Sequence, residues 1–342
     1  TVTLGATADD GAGSGVANVK IQRSPAGAGA WTDVCTDTTS PYSCSFDTTL
    51  VTDGLYDFRA VATDNVSKTT VSTTVANRLV DNTNPTATMN DPGANLGGTV
   101  SLTASATDTG GSGVASVLIQ RSPAGLGTWT DVCTDTTSPY SCSFDTTLVT
   151  DGLYDFRARS TDNAGNGPTT SATVASRRVD NTLPTASLTD PGTYLRQTVT
   201  LDATATDIGG SGVASVAFER SPAGAGTWTN ICTDATSSYS CSFDTTAVSD
   251  GVYDLRAVAT DNAGNQAASV VANRTIDNTA PTAADIQTTN GGATVGRPET
   301  NDTITFTYSE QILPGSILAG WNGSSQAVTV RFNNSGASDD NR

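Results

Sequence analysis

The sequence contains no histidine, one methionine and only two lysines, Lys20 and Lys68, and aromatic residues make up 6% of it. Without histidine there are no Ser-His or Cys-His nucleophilic pairs and no imidazole ligand for zinc or copper, so acid–base chemistry would fall to carboxylates alone. No apolar run is long enough to span a bilayer as a helix. Cationic side chains are scarce: 17 basic residues stand against 34 acidic ones, a formal net charge of −17. That imbalance argues against nucleic acid and anionic membrane surfaces as partners, and suits an exterior that attracts cations. Cysteine is limited to six residues, and these are not scattered.

They fall in three copies of one motif, "CTDTTSPYSC" from Cys35 to Cys44 and again from Cys133 to Cys142, then "CTDATSSYSC" from Cys232 to Cys241. Trp31, Trp129 and Trp228 head the copies and set a period of 98 and then 99 residues, the size of one small domain. Residues 31–60 are identical to 129–158, and the third copy, 228–257, differs at eight of those thirty positions. Catalysis needs one set of groups, whereas a spacer or a ladder of weak sites gains from copies.

No segment holds a helical period. In "LYDFRAVATD", Tyr56, Phe58, Ala60 and Ala62 alternate with Asp57, Arg59, Val61 and Thr63, and "TVSLTASATD" alternates Val100, Leu102, Ala104 and Ala106 with polar residues. That is the period of a strand with one buried face. Such strands, broken by Gly, Asp, Asn and Pro turns about every 8–12 residues, predict an antiparallel β-sandwich.

"DGLYDF" at Asp53, Gly54 and Tyr56 recurs at Asp151, Gly152 and Tyr154, and as "DGVYDL" at Asp250, Gly251 and Tyr253. It resembles the tyrosine corner of immunoglobulin-like domains, with Phe58, Phe156 and Leu255 where an antibody domain carries its second core cysteine. Together with "TATDIGGSGVASV" and "ATDNAGN", these motifs resemble the bacterial Ig-like tandem repeats of large secreted surface and adhesin-type proteins, over residues 1–278. The resemblance implies an all-β chain of tandem immunoglobulin-like antiparallel β-sandwiches arranged as a rod.

Repeat edges are expected at "VDNTNPT" (80–86), "VDNTLPT" (179–185) and "IDNTAPT" (276–282), where proline keeps the preceding residue extended. The reading is a repeat lacking its first strand at 1–82, complete repeats at 83–181 and 182–278, and the incomplete start of a different Ig-like domain at 279–342. Because "TVTLGATADD" reads as a strand in mid-domain, the sequence is expected to be a piece of a longer protein.

Each cysteine pair offers two thiols with eight residues between them and no histidine, far from zinc or C-x-x-C geometry. The expectation is a structural disulfide closing a hairpin-like loop within each repeat: Cys35 with Cys44, Cys133 with Cys142 and Cys232 with Cys241. Trp31, Trp129 and Trp228 are candidates for a sugar-stacking ladder, but their place just ahead of the cysteine loop favours partly buried packing.

An Ig-like topology also gathers loops at the end of the sandwich where the chain enters. That end would collect Asp81, Asn82, Asp108, Asp162 and Asn163 at one junction, and Asp180, Asn181, Asp207, Asp261 and Asn262 at the next. Their oxygens suit Ca2+, in an arrangement similar to the calcium joints of cadherins; the alternative is that they cap turns. The function expected is a non-enzymatic spacer of an extracellular prokaryotic surface protein: a stalk, adhesin shaft or filament subunit. Its partners would be a surface ligand, a glycan or identical subunits. Two alternatives stay open, accessory or carbohydrate-binding modules beside a secreted hydrolase, and a filament assembled by strand donation.

Overall fold

Alternating burial builds each strand. In the computed structural model, which describes residues 1–294, 299, 301–310, 312, 317 and 319–324, the strand Thr99–Thr107 buries Leu102 and Ala104 and exposes Ser101, Thr103 and Ser105. The second repeat packs two sheets face to face. One holds Tyr140–Asp145, Thr99–Thr107 and Thr86–Met89; the other runs Thr130–Asp135, Val114–Pro123, Gly152–Asp162, Val174–Val179 and Asn95–Leu96. Neighbours are antiparallel except Asn95–Leu96, which lies parallel to Val174–Val179. The third repeat has the same strand order.

Between the sheets sit Leu102, Val117, Ile119, Phe156, Ala158 and Val179, all buried. Phe144 and Phe156 meet edge to face at 5.9 Å, a contact worth about 0.5–1.5 kcal/mol beyond its buried area. Phe156 and Leu255 fill the core as apolar residues where antibody domains use a cysteine. The corner tyrosines close as their motif implies: Tyr154 Oη donates to the Thr150 carbonyl at 3.0 Å, Tyr56 to Thr52 and Tyr253 to Ser249.

The structure joins Cys35 to Cys44, Cys133 to Cys142 and Cys232 to Cys241, with Cα atoms 5.9–6.2 Å apart. The hairpin expectation needs correction. Cys133 lies in Thr130–Asp135 and Cys142 in Tyr140–Asp145, strands of different sheets, so the bond ties the two sheets together at their edge. The chain changes sheet here because Asp135 folds the connection: Oδ1 accepts from the Thr137 amide and Oδ2 from the Ser141 amide.

In the first repeat Val2–Ala6 pairs with Tyr42–Phe46 and, with Ile21, Phe46, Phe58, Arg59, Arg78 and Val80, lines a groove of about 600 Å³. The matching space of the second repeat is filled by Met89 and Leu96. Beyond residue 278, Ala283–Thr289 pairs antiparallel with Thr303–Tyr308. Much of the segment expected to open a different domain, 325–342 included, lies outside the described residues.

Candidate cation sites at the repeat joints

The first two "DNT" linkers are each held in two directions. Asn82 and Thr83 face back: the Asn82 amide N–H and Nδ2 both donate to Asp53 Oδ1 at 2.9 Å, Nδ2 also donates to the Thr48 carbonyl, and Thr83 Oγ1 donates to Asp53 Oδ2. Asn181 and Thr182 make the same bonds to Asp151. Asp81, in contrast, faces forward. Its Oδ2 accepts from the Ser112 amide at 2.7 Å, in the loop after Thr99–Thr107 of the next repeat, while Oδ1 accepts from the Thr83 amide.

That loop turns on Gly110 and Gly113, at φ +80° and +85°, a region costly for side chains with a Cβ. At Gly111 a Cβ would collide with the Asp108 carboxylate, which folds back over its own loop. Asp108 Oδ2 accepts from the Gly113 amide at 2.7 Å. Asp162, 2% exposed at the end of Gly152–Asp162, accepts from the Asn166 amide at Oδ1 and from Asn166 Nδ2 at Oδ2.

One carboxylate oxygen from each of Asp81, Asp108 and Asp162 comes within 4.8 Å of the others, and Asp180, Asp207 and Asp261 repeat the arrangement. Oxygens on opposite sides of Ca2+ stand about 4.6–5.2 Å apart, twice its bond length, so the spacing suits one such ion. A second observation bears on the same site. Oδ1 of Asp108 and Oδ1 of Asp207 are buried and have no hydrogen-bond donor. A carboxylate oxygen in that state is unfavourable until a cation or a hydrogen-bond donor meets it. Burial pushes the Asp81 carboxyl up, but hydrogen bonds from Ser112 and Thr83 outweigh it and hold the group below the usual aspartate range, in its anionic form.

Of the ten residues expected at the joints, the structure brings the six aspartates together and turns the four asparagines elsewhere. Asn82 and Asn181 belong to the repeat they leave, and Asn163 and Asn262 donate through Nδ2 to the Ser112 and Gly113, and Ser211 and Gly212, carbonyls. Sequence reasoning missed Asn166 and Asn265, whose Nδ2 donates to the linker carbonyls of Asp81 and Asp180 at 3.0 Å. The signal available was a difference between copies: the first repeat keeps Asp10 and Asp64 but carries Lys68 where Asn166 and Asn265 stand.

A sandwich of this topology with a corner tyrosine in every copy defines an immunoglobulin-like module, and the module recurs with linkers gripped from both sides. The bacterial Ig domain family matches residues 85–158 and 184–257, and the bacterial Ig-like domain family of group 3 matches 237–338. The chain belongs to the bacterial Ig-like domains. No curated protein matches it. Among solved structures it is similar to the fibronectin(III)-like modules of CbhA from Clostridium thermocellum, at 18% identity over 56% of this chain and 94% of that one, with a TM-score of 0.39. It is also similar to a Ca2+-stabilised adhesin with which an Antarctic bacterium reaches out and binds ice, at 21% identity, 80% and 68% coverage and a TM-score of 0.32. Chicken CNTN1 FN1–FN3 domains match at 15% identity, 75% and 89% coverage and a TM-score of 0.38.

Proposed function

We propose that the chain is a non-enzymatic extender of an extracellular surface protein, a rod whose Ig-like repeats are locked in line by Ca2+ at the joints around Asp81 and Asp180. The observation that carries this reading is the buried, donorless oxygen of Asp108, and of Asp207, inside a triad shared between a linker and the repeat that follows. Such a site exists only while the two repeats hold one relative position, so an ion bound there converts cation concentration into stiffness. The three disulfides suit an oxidising compartment, and the charge of −17 keeps an exposed shaft soluble.

Small-angle scattering of the chain in millimolar Ca2+ and in EGTA tests the proposal. A narrower distribution of maximum dimensions in Ca2+ is expected, together with a calorimetric binding isotherm of two sites. Superimposable scattering curves and no heat of binding would overturn it.

A further inference from the structure

We propose that Asn166 is a modification site at the first joint, where its side-chain amide is converted without an enzyme into aspartate or isoaspartate and its bond to the linker is lost. Asparagine is among the heat-labile residues. It is most labile before glycine, because no Cβ shields the nitrogen that attacks the asparagine Cγ. Asn166 is the one asparagine of residues 1–278 that a glycine follows. At the second joint Asn265 is followed by Gln266, which opens the strand Gln266–Ile276.

The fold keeps glycine at position 167 and leaves its nitrogen free. Gly167 sits at φ +99°, and a Cβ there would meet the Ser160 carbonyl oxygen at 2.7 Å and the Thr169 nitrogen at 3.1 Å. A side chain that would slow the reaction therefore has no room. Gly167 is exposed, so water reaches it, and it lies between Gly152–Asp162 and Thr169–Thr170, outside both strands. Among the described residues its N–H donates no hydrogen bond. Asn166 is half-buried, and its Nδ2 donates to the Asp81 carbonyl at 3.0 Å and to Asp162 Oδ2 at 2.9 Å. These bonds hold Nδ2, the atom that leaves, and neither engages the Gly167 nitrogen, the atom that attacks.

Water is the only co-reactant. The Gly167 nitrogen attacks Asn166 Cγ and closes a succinimide ring; the Cγ–Nδ2 bond breaks, and ammonia leaves with the proton that the glycine nitrogen gives up. Water then adds to a ring carbonyl. Opening at Cγ yields aspartate, and opening at the main-chain carbonyl of residue 166 yields isoaspartate, with the backbone rerouted through Cβ and Cγ. Either product lacks Nδ2 and carries a negative charge. The donation to the Asp81 carbonyl ends, and the new carboxylate joins a cluster in which Asp81, Asp108 and Asp162 already stand within 4.8 Å of one another. Like charges at such distances repel, so the loop and the linker part. The change is one-way and confined to the first joint, because Asn265 makes the same bonds at the second with glutamine behind it. It follows from the linker bonds and assumes no ion at the joint.

The test keeps the chain for weeks at mildly alkaline pH in EGTA, with and without urea, and maps its peptides by mass with detection of isoaspartate. In the folded chain, conversion at Asn166 should outpace conversion at Asn265 at least about tenfold. Double electron–electron resonance between spin labels on adjacent repeats should show the distance distribution across Asp81 broadening with the converted fraction, while that across Asp180 stays as it was. Asn166→Asp supplies the product's charge from the start, and should show the broader Asp81 distribution without ageing. Conversion at Asn166 no faster than at Asn265, conversion only in urea, or an Asp81 distribution unchanged in both the aged chain and Asn166→Asp overturns the proposal.

Discussion

Replacing Asp108 with asparagine should stabilise the chain without calcium and destabilise it with calcium. The three carboxylates at the first joint stand within 4.8 Å of one another. Two unit charges at that distance repel by about 0.9 kcal/mol in a water-like medium and about 3.5 kcal/mol at an effective dielectric constant of 20. Asp108 is half-exposed, which favours the lower figure. Removing its charge cancels two such pairs, a relief of about 2 kcal/mol. The amide also keeps an oxygen for the Gly113 N–H and turns an N–H2 donor into the place of the orphaned Oδ1, toward the carboxylates of Asp81 and Asp162. In EGTA the melting temperature of the responding transition should therefore rise, by roughly 4–8 °C per kcal/mol for a domain of this size. With calcium at a hundred times its dissociation constant the unsubstituted joint gains about 2.7 kcal/mol, and the variant forfeits most of that gain. Scanning calorimetry in the two buffers should show the order of stabilities cross. A variant less stable than the parent by the same amount in both buffers would refute the argument, because Asp108 would then serve only its own loop.

The linker clamp should be acid-sensitive: hydrogen bonds from Thr83 and Asn82 lower the Asp53 carboxyl, those from Thr279 and Asn278 lower Asp250, and at Asp151 burial pushes up but Thr182 and Asn181 outweigh it. A carboxyl lowered by folding contributes stability in full above its unfolded value, about 3.9, and loses it as pH falls through the folded value, so the melting temperature should hold from pH 7 to about 5 and decline below about 4; a decline complete by pH 5 would contradict this. Replacing Cys133 and Cys142 together by serine opens a ten-residue loop and should cost about 2–3 kcal/mol in the second repeat, read as a lower urea midpoint; an unchanged midpoint would show that the sheets need no tie at that edge. Gly97 has an ordinary backbone conformation, yet a Cβ there would meet the Ala263 carbonyl of the next repeat at 2.7 Å, so Gly97→Ala should broaden the scattering-derived dimensions of the rod while leaving the unfolding of the second repeat unchanged.

Much of this arrangement was legible before any coordinates, because strands and repeats are written in periods. Two-residue alternation marks Thr99–Thr107 and Gly152–Asp162, and a period of 98 and then 99 residues marks the modules. The aspartates at the joints could be placed through the topology, since loops after given strands must share one end of a sandwich. Side-chain direction could not. Asn82 is one residue from Asp81 and points the opposite way, because adjacent residues of an extended linker face opposite sides and Asp53 stands ready on one of them. "DNAGN" likewise holds two asparagines whose spacing does not reveal that Asn163 ties two loops of one repeat while Asn166 reaches the linker. The change of sheet between Cys133 and Cys142 was hidden for a related reason: the fold of the Asp135 carboxylate over Thr137 and Ser141 leaves no mark in a pattern of alternation.

The two joints share their carboxylates but not all of their bonds, and this decides where a calcium-depleted rod should bend. Arg178 Nη1 donates to the Gly209 carbonyl of the third repeat at 3.0 Å, a link from the body of one repeat to a loop of the next that does not pass through the aspartates. The corresponding residue at the first joint is Leu79, which is 43% exposed and brings no donor to that loop. An exposed hydrogen bond of this kind is worth about 1 kcal/mol, roughly a fivefold bias toward the aligned state. Calcium bound as proposed should mask the difference, because it would add the same, larger restraint to both joints. In EGTA the first joint should move more than the second, and double electron–electron resonance between spin labels on adjacent repeats should give a broader distance distribution across Asp81 than across Asp180. Arg178→Leu, which gives the second joint the residue of the first, should widen the Asp180 distribution to match. Equal widths at both joints in the parent, or no change in Arg178→Leu, would show that Arg178 does not set the stiffness of the second joint.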